Sequence, residues 1–122
     1  MKKILLFTLL MLVSFTYAGT ITSAGSGDWS DTGTWVGGVV PGDSDDVNIA
    51  SGHVVTVDTA DQCASVTLNA STSTLTLNAN LTVTGNTTNA GTINVTSGNY
   101  ICTGASATFT NTKNFMLLLV II

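Results

Sequence analysis

Hydrophobic and polar residues alternate with a period of two along most of the chain from residue 47 to residue 110. The repeated unit is an apolar residue, a Thr or Asn, and a second apolar residue, with a polar or glycine-containing corner before the next unit. Its copies are Val47-Asn48-Ile49, Val55-Thr56-Val57, Val66-Thr67-Leu68, Leu75-Thr76-Leu77, Leu81-Thr82-Val83, Ile93-Asn94-Val95 and, more loosely, Ala107-Thr108-Phe109. Because the side chains of a strand alternate between its two faces, this pattern predicts short strands whose flanking residues face inward and whose middle residue faces outward.

Alternate copies of the unit recur at intervals near 20 residues. The interval is 19 residues from Val47 to Val66, 20 from Val55 to Leu75 and 18 from Leu75 to Ile93. Coils of a parallel β-helix, each made of two or three short strands, have this length and bury their inward faces only by stacking on one another. We therefore expect an all-β fold, a right-handed parallel β-helix of about three coils.

An antiparallel β-sandwich is the alternative arrangement. Gly85-Asn86 and Gly98-Asn99 could each form the tight turn of a hairpin, and about eight strands in about a hundred residues also suit an immunoglobulin-like domain. The solenoid is favoured because the strands are very short, the unit is monotonous and the Cys-Trp-Cys signature of immunoglobulin domains is missing.

Asparagines are expected at the corners between strands. Asn, like Gly, accepts left-handed backbone angles, and its side chain can hydrogen-bond to the neighbouring coil. The candidates are Asn69, Asn78, Asn80, Asn86 and Asn89.

Residues 1–18 have the features of a secretory signal peptide. Lys2 and Lys3 form a positive start, residues 4–15 are an apolar run, and Thr16-Tyr17-Ala18 is a small-residue cleavage site followed by Gly19. An apolar run of about a dozen residues is shorter than the roughly 20 that a transmembrane helix needs. We therefore predict export with cleavage, a secreted or cell-surface location, and no stable membrane span after cleavage.

Three segments follow the predicted signal peptide. Residues 19–46, which contain Trp29 and Trp35, are placed to form an N-terminal cap over the first coil, whose strand edges would otherwise invite aggregation. Residues 47–114 are the repeat body. Residues 115–122 are a continuous apolar tail with two interpretations: a buried last strand, or a truncation artefact in which an interrupted reading frame ends a longer repeat protein.

The charge of the chain narrows the choice of partners. From Gly19 onward there is no Glu or Arg, and one Lys against seven Asp gives a net charge of −6. A chain with a single cation has almost nothing to neutralise phosphate groups, which argues against nucleic acid and against anionic lipid as partners. The partners that remain are an extracellular surface, a matrix or a glycan.

Cys63 and Cys102 are the only cysteines, and a disulfide is the usual expectation in an exported chain. Their separation of 39 residues corresponds to about two coils, or about 10 Å at a strand spacing of about 4.8 Å. Because a disulfide needs Cα atoms within about 7 Å, the solenoid favours two small buried thiols, and the disulfide is the alternative.

The opening of the repeat carries a pattern of tryptophans, glycines and short apolar strands. Its residues are Asp28-Trp29, Trp35, Gly37-Gly38, Pro41, Asp46-Val47-Asn48-Ile49, Gly52 and residues 54–57. This pattern resembles the opening of G8-like, adhesin-like parallel β-helix modules of secreted bacterial surface proteins. The resemblance implies an extracellular location and a binding or scaffolding role, without an established catalytic set.

The sequence predicts no catalytic site. The only histidine, His53, follows Gly52 in a turn, and no partnered nucleophile accompanies it. Enzymes that cleave polysaccharides need paired carboxylates or a cationic group against an acidic substrate, and Arg is absent. Asp43, Asp45 and Asp46 are clustered, but they lie at the predicted cap turn, where carboxylates typically accept backbone hydrogen bonds.

Two ligand interpretations remain for individual residues, and no cofactor is otherwise indicated. Oxygen atoms of Asp43 and Asp45 could contribute to a calcium site, with a solvated turn as the alternative. The rings of Trp29 and Trp35 could stack on glycans, with burial in the cap as the alternative.

Together these features predict a secreted or cell-surface β-helical module that is structural or adhesin-like, is not an enzyme, and is either complete or a fragment of a larger protein. The alternative function is a carbohydrate-binding or polysaccharide-degrading β-helix protein.

Overall fold

Short strands joined by tight corners make up the computed structural model, which describes residues 18–112 and the backbone of Val120–Ile121. In chain order the strands are β1 (Thr20–Thr22), β2 (Gly27–Asp28), β3 (Asp46–Ile49), β4 (Val54–Val57), β5 (Asp61–Cys63), β6 (Ser65–Leu68), β7 (Thr74–Leu77), β8 (Leu81–Val83), β9 (Thr87–Asn89), β10 (Thr92–Val95), β11 (Tyr100–Cys102), β12 (Phe109–Asn111) and β13 (Val120–Ile121). A single 3-10 turn, Thr32–Thr34, accompanies them in this part of the chain.

The strands form three sheets in which every pairing is parallel. The first sheet has the order β1-β3-β6-β9-β12, the second β10-β7-β4-β2 and the third β13-β11-β8-β5. Each coil therefore contributes one strand to each sheet: coil 1 is β3 to β5, coil 2 is β6 to β8 and coil 3 is β9 to β11. The prediction of a parallel β-solenoid of about three coils is confirmed.

The register of the sheets also confirms the predicted repeat intervals. Val47 pairs with Val66 in the first sheet, and Val55, Leu75 and Ile93 stack in the second. The sandwich alternative is wrong, because Gly85-Asn86 and Gly98-Asn99 are corners between strands of different sheets rather than hairpin turns. Among the described residues, antiparallel pairing is confined to one isolated bridge between Ser23 and Trp35.

Inward side chains fill the interior in columns that run from coil to coil. Two neighbouring columns of the second sheet are Val55, Leu75, Ile93 and Val57, Leu77, Val95. The members of these columns in coils 1 and 2 are fully buried, which for a Val or Leu side chain is worth about 1.5–3 kcal/mol each. Burial of these aliphatic columns therefore contributes substantially to the stability of coils 1 and 2.

Several strands depart from the predicted pattern. β5, β9 and β11 are absent from the predicted set, since none of them has the apolar–polar–apolar sequence. The expected unit at residues 107–109 is displaced by two residues: β12 begins at Phe109, which faces inward as predicted and stacks on Thr87, and Thr110 is its middle residue. The inward side chain of Phe109 packs edge-on against Tyr100, with ring centroids 5.9 Å apart.

The asparagine prediction is partly confirmed. Three corner side chains bond to the next coil: Asn78 Oδ1 accepts from the Thr96 hydroxyl, Asn80 Oδ1 from the Asn99 backbone N–H, and Asn86 Oδ1 from the Thr108 backbone N–H.

The prediction is wrong for Asn89, which lies in β9 with its side chain buried inside the solenoid. The expected left-handed angles are also wrong, because positive φ among the described residues occurs only at glycines, namely Gly37, Gly38 and Gly52.

The two cysteines lie in one column of the third sheet. Cys63 and Cys102 both pair with Val83, one on each side of it. Two strand spacings separate them, about 10 Å, and both are free thiols. The preference for unpaired thiols is thus confirmed, although only Cys63 is fully buried.

Residues 20–45 add a partial coil before coil 1. β1 pairs with β3, and β2 pairs with β4, so two of the three sheets gain one strand. The predicted signal peptide lies outside the described residues except for Ala18. The predicted apolar tail also lies outside them except for the backbone of β13, which pairs with β11.

Candidate binding surface

One outward column of polar side chains runs the full height of the first sheet. Its members, here called the threonine column, are Thr22, Asn48, Thr67, Thr88 and Thr110, which stand in register on five successive strands. Thr is β-branched and favours strands while its hydroxyl stays wettable. Because neighbouring strands are about 4.8 Å apart, the column presents hydroxyl and amide groups at a regular repeat.

The corresponding columns of the other two sheets are shorter or less uniform. The second sheet carries Asp28, Thr56, Thr76 and Asn94, and the third carries Gln62, Thr82 and Ile101. The threonine column is the longest of the three that the described residues form, and it carries no charge. We therefore take it as the candidate binding surface.

One carboxylate borders this surface at its N-terminal end. Asp46 lies beside Asn48 on β3, and its Oδ1 accepts a hydrogen bond of 2.6 Å from the Ser65 hydroxyl on the next strand. Within the column, the Oδ1 atom of Asn48 is covered by its neighbours and accepts no hydrogen bond. The more exposed hydroxyls of the column are those of Thr88 and Thr110, toward its C-terminal end.

Trp29 and Trp35 are buried rather than displayed. Their exposed fractions are 0% and 2%, the rings meet edge-on with centroids 5.0 Å apart, and the Trp35 indole N–H donates to the Trp29 carbonyl at 2.8 Å. Neither ring offers a face on which a sugar could stack. The structure therefore favours the alternative interpretation of burial, and both side chains belong to the hydrophobic core.

The buried indole of Trp29 affects Asp61 on β5. Burial raises the pKa of the Asp61 carboxyl, and the N–H groups of Gln62 and Trp29 oppose this shift. The Trp29 indole N–H lowers the pKa of the Asp61 carboxyl, but it completes no hydrogen bond with a described residue. This contact nevertheless links the partial coil to the first strand of the third sheet.

The calcium candidates Asp43 and Asp45 are turn residues. Asp45 accepts the backbone N–H of Gly42 at 2.8 Å and that of Gly19 at 3.0 Å, while the exposed Asp43 accepts the Ser44 hydroxyl at 3.2 Å. Within the described ranges, no three His, Cys, Asp or Glu side chains converge as metal ligands. The arrangement is that of a carboxylate that organises a turn.

His53 has a partner that the sequence did not reveal. Its Nδ1 lies 2.8 Å from the hydroxyl of Ser23, a residue 30 positions earlier. Because that hydroxyl oxygen already accepts the Ala50 N–H at 2.9 Å, its own proton can be donated to the imidazole. Ser23 is only 3% exposed, so the pair holds the partial coil against coil 1 and does not present a nucleophile to a substrate.

Two further bonds hold the same segment in place. The Ser30 hydroxyl donates to Asp58 Oδ2, and this bond is the main reason why the pKa of Asp58 is lowered. The Ser26 hydroxyl accepts the backbone N–H of Val54 at 2.8 Å. The start of the solenoid is thus attached to coil 1 by polar side chains as well as by strand pairing.

An open groove of about 460 Å³ lies at a corner between the third and first sheets. It is lined by Thr84, Gly85, Asn86, Gly104, Ala105, Ser106 and Ala107. These side chains are small and uncharged, and none of them is an acid, base or thiol. The groove therefore offers only hydroxyl, amide, methyl and backbone groups.

Comparison with known proteins returns no relative: no family model, no curated protein and no solved structure matches the chain. No helix within residues 18–112 is long and apolar enough to cross a membrane.

Proposed function

We propose that this protein is a secreted or cell-surface structural module of the adhesin-like class, without enzymatic activity, and that the threonine column is its binding surface. Its ligand is an extended, uncharged or weakly charged polymer rich in hydroxyl groups, such as a matrix or cell-surface polysaccharide. The observation that carries this proposal is the register of five hydroxyl or amide side chains on successive strands of one sheet.

The chemistry of the column suits such a ligand. Hydroxyl and amide groups both donate and accept hydrogen bonds, and a regular row of them can bond to the repeated hydroxyls of a polymer. Since backbone pairing fixes the spacing of the row and Thr has a restricted χ1 angle, little side-chain freedom is lost on binding. The resemblance of residues 28–57 to the opening of G8-like modules supports an extracellular role of this kind.

A binding experiment with two matched variants tests the proposal. Thr67 and Thr76 are both half-buried, outward residues of coil 2, but Thr67 lies in the threonine column of the first sheet and Thr76 in the second sheet. The exported protein and its Thr67→Lys and Thr76→Lys variants are measured on a glycan array and by sedimentation with insoluble polysaccharides. We expect Thr67→Lys to weaken binding at least tenfold and Thr76→Lys to change it by less than about twofold.

The proposal fails if the two lysine variants bind equally, or if no polysaccharide is retained by the parent protein. The enzymatic alternative is tested on the same polymers by a reducing-end assay. Cleavage that disappears in Asp45→Ala or Asp46→Ala would replace the binding function by a hydrolytic one.

A further inference from the structure

Gly19 is held in place at its backbone nitrogen by a carboxylate. The nitrogen donates to Asp45 Oδ1 at 3.0 Å, and the Gly19 carbonyl accepts the Asp46 N–H at 2.8 Å. From the next residue onward the chain is paired in β1, with Thr20 opposite Asp46. The residue that follows the predicted cleavage site is therefore hydrogen-bonded to the solenoid through both its N–H and its carbonyl group.

We propose that signal-peptide removal between Ala18 and Gly19 creates an ion pair between the new α-ammonium group of Gly19 and the carboxylate of Asp45. In the hydrolysis, water adds across the peptide bond under the action of a signal peptidase. The carbonyl carbon of Ala18 keeps the hydroxyl and becomes a carboxylate, and the nitrogen of Gly19 takes up protons and becomes an ammonium. The amide hydrogen bond seen at this nitrogen is thereby replaced by a charge-assisted one.

The carboxylate is already oriented for this role. Its other oxygen, Asp45 Oδ2, is fixed by the Gly42 N–H at 2.8 Å, so Oδ1 stays directed at Gly19. Ala18 and Gly19 are exposed, which leaves the bond between them accessible to a peptidase. No rearrangement of the turn is needed before or after cleavage.

The charges around this site favour an added cation. Residues 18–112 contain seven Asp and no Lys or Arg, and the three lysines of the chain are Lys2, Lys3 and Lys113. Cleavage after Ala18 removes two of these lysines and adds one positive charge at the position of Gly19. An ammonium group beside the Asp45 carboxylate keeps its proton more firmly, because a nearby opposite charge favours the charged form.

The proposal rests on the export that the proposed function assumes. Its first test distinguishes a failure of the ion pair from a failure of export. The full chain is produced in a secreting bacterium, and the N-terminus of the exported product is determined by mass spectrometry. We expect Gly19 as the first residue. A product that begins at another residue overturns the ion pair but not export, whereas a chain that keeps residues 1–18 and stays inside the cell overturns both.

The second test measures the ion pair in the exported product. The α-amine of Gly19 is acylated at pH 7, and its rate is compared with that of the Lys113 ε-amine in the same molecule. Since the ion pair keeps the α-amine protonated and unreactive, Asp45→Asn should raise its relative rate about threefold, a size typical of exposed pairs. Asp43→Asn removes the same charge two positions away and should leave the rate unchanged.

Salt provides a measurement that needs no variant. About 1 M salt shortens the screening length to about 3 Å and should raise the relative rate of the parent protein toward that of Asp45→Asn. Equal rates in all three proteins together with no effect of salt on the parent would show that Gly19 and Asp45 do not form an ion pair.

Discussion

In coil 2 every inward strand residue has a hydrocarbon side chain, whereas coil 3 has a hydroxyl, an amide and a phenol at three of the corresponding positions. Thr87 stacks on Val66, Asn89 on Leu68 and Tyr100 on Leu81. All of these residues are buried. The two coils share one backbone register, so the path of the chain does not depend on a purely hydrocarbon interior.

Coil 3 bonds its buried polar groups to one another. The hydroxyls of Thr87 and Tyr100 lie 2.5 Å apart. Asn89 Oδ1 accepts the Gly91 N–H at 3.0 Å, and its Nδ2 donates to Asn111 at 3.2 Å. Buried polar groups are tolerated when they are satisfied in this way. Coil 2 is therefore stabilised mainly by packing, and coil 3 by a combination of packing and specific hydrogen bonds.

The largest expected difference between the ends of the solenoid is the loss of unfolding free energy caused by truncating residues of one interior column. Val57 of coil 1 is fully buried, and Val95 of coil 3, two strands away in the same column, is 36% exposed. We expect Val57→Ala to lower the free energy of unfolding by about 2 kcal/mol and Val95→Ala by less than about 1 kcal/mol. Urea unfolding followed by tryptophan fluorescence measures both, and equal losses would contradict the difference in packing.

A corner glycine shows how closely coil 3 approaches coil 2. A Cβ atom at Gly91 would lie 2.1 Å from the Ser73 carbonyl oxygen, whereas one at Gly25 would meet no atom within 4 Å. Gly91→Ala should therefore cost about 2 kcal/mol, as overpacking typically does, and Gly25→Ala no more than about 0.5 kcal/mol. Thermal unfolding of the two variants tests this, and a Gly91→Ala protein as stable as its control would show that the corner can open.

The cysteines of coils 1 and 3 should respond differently to alkaline pH. Burial raises the pKa of the Cys63 thiol to about 12, whereas the unfolded chain loses this proton near pH 8.5. Stability from the neutral thiol is complete below the unfolded pKa and is lost as the pH rises toward the folded pKa, by about 1.4 kcal/mol per pH unit.

The slope of unfolding free energy between pH 8.5 and about 10 provides the measurement, since Tyr100, whose pKa is also raised by burial, adds its own slope only at higher pH. Cys63→Ala should flatten the slope, and Cys102→Ala, at a half-buried position, should flatten it less. If both variants keep the slope of the parent protein, burial of Cys63 is not its cause.

The smallest expected change in the free energy of unfolding comes from the Thr87–Tyr100 hydroxyl pair of coil 3. Tyr100→Phe leaves the buried Thr87 hydroxyl without its partner and should cost about 1 kcal/mol. Adding Thr87→Val removes the second hydroxyl as well, so the double variant should be more stable than Tyr100→Phe alone. Strictly additive losses in urea unfolding would mean that the two hydroxyls do not interact.

The contrast between hydrocarbon and polar inward residues also explains which strands could be predicted from the sequence. Six of the predicted units coincide with β3, β4, β6, β7, β8 and β10, because their inward residues are aliphatic and create a visible period of two. β9 is polar throughout. Its inward side chains bond to the nearby Gly91 N–H and also to Tyr100 and Asn111, which lie more than ten residues away. Such partners leave no local pattern in the sequence.

The candidate surface could be predicted only in part. The period of two identified Thr67 as an outward residue, but its alignment with Thr22, Thr88 and Thr110 depends on the register of strands that lack the unit. The bond between Ser23 and His53 likewise joins residues 30 positions apart. Composition gave no signal for either, since Thr and Ser occur throughout the chain.

The stacking of coils determines how the solenoid could lengthen during evolution. Val55 and its stacked neighbour Leu75 are separated by 20 residues of sequence. These residues lengthen the solenoid by only one strand spacing, about 4.8 Å. An α-helix of 20 residues would be about 30 Å long. Gene duplication can lengthen such a rod only in small steps. An inserted segment must also supply a whole turn, because an odd shift in any strand would exchange its inner and outer faces.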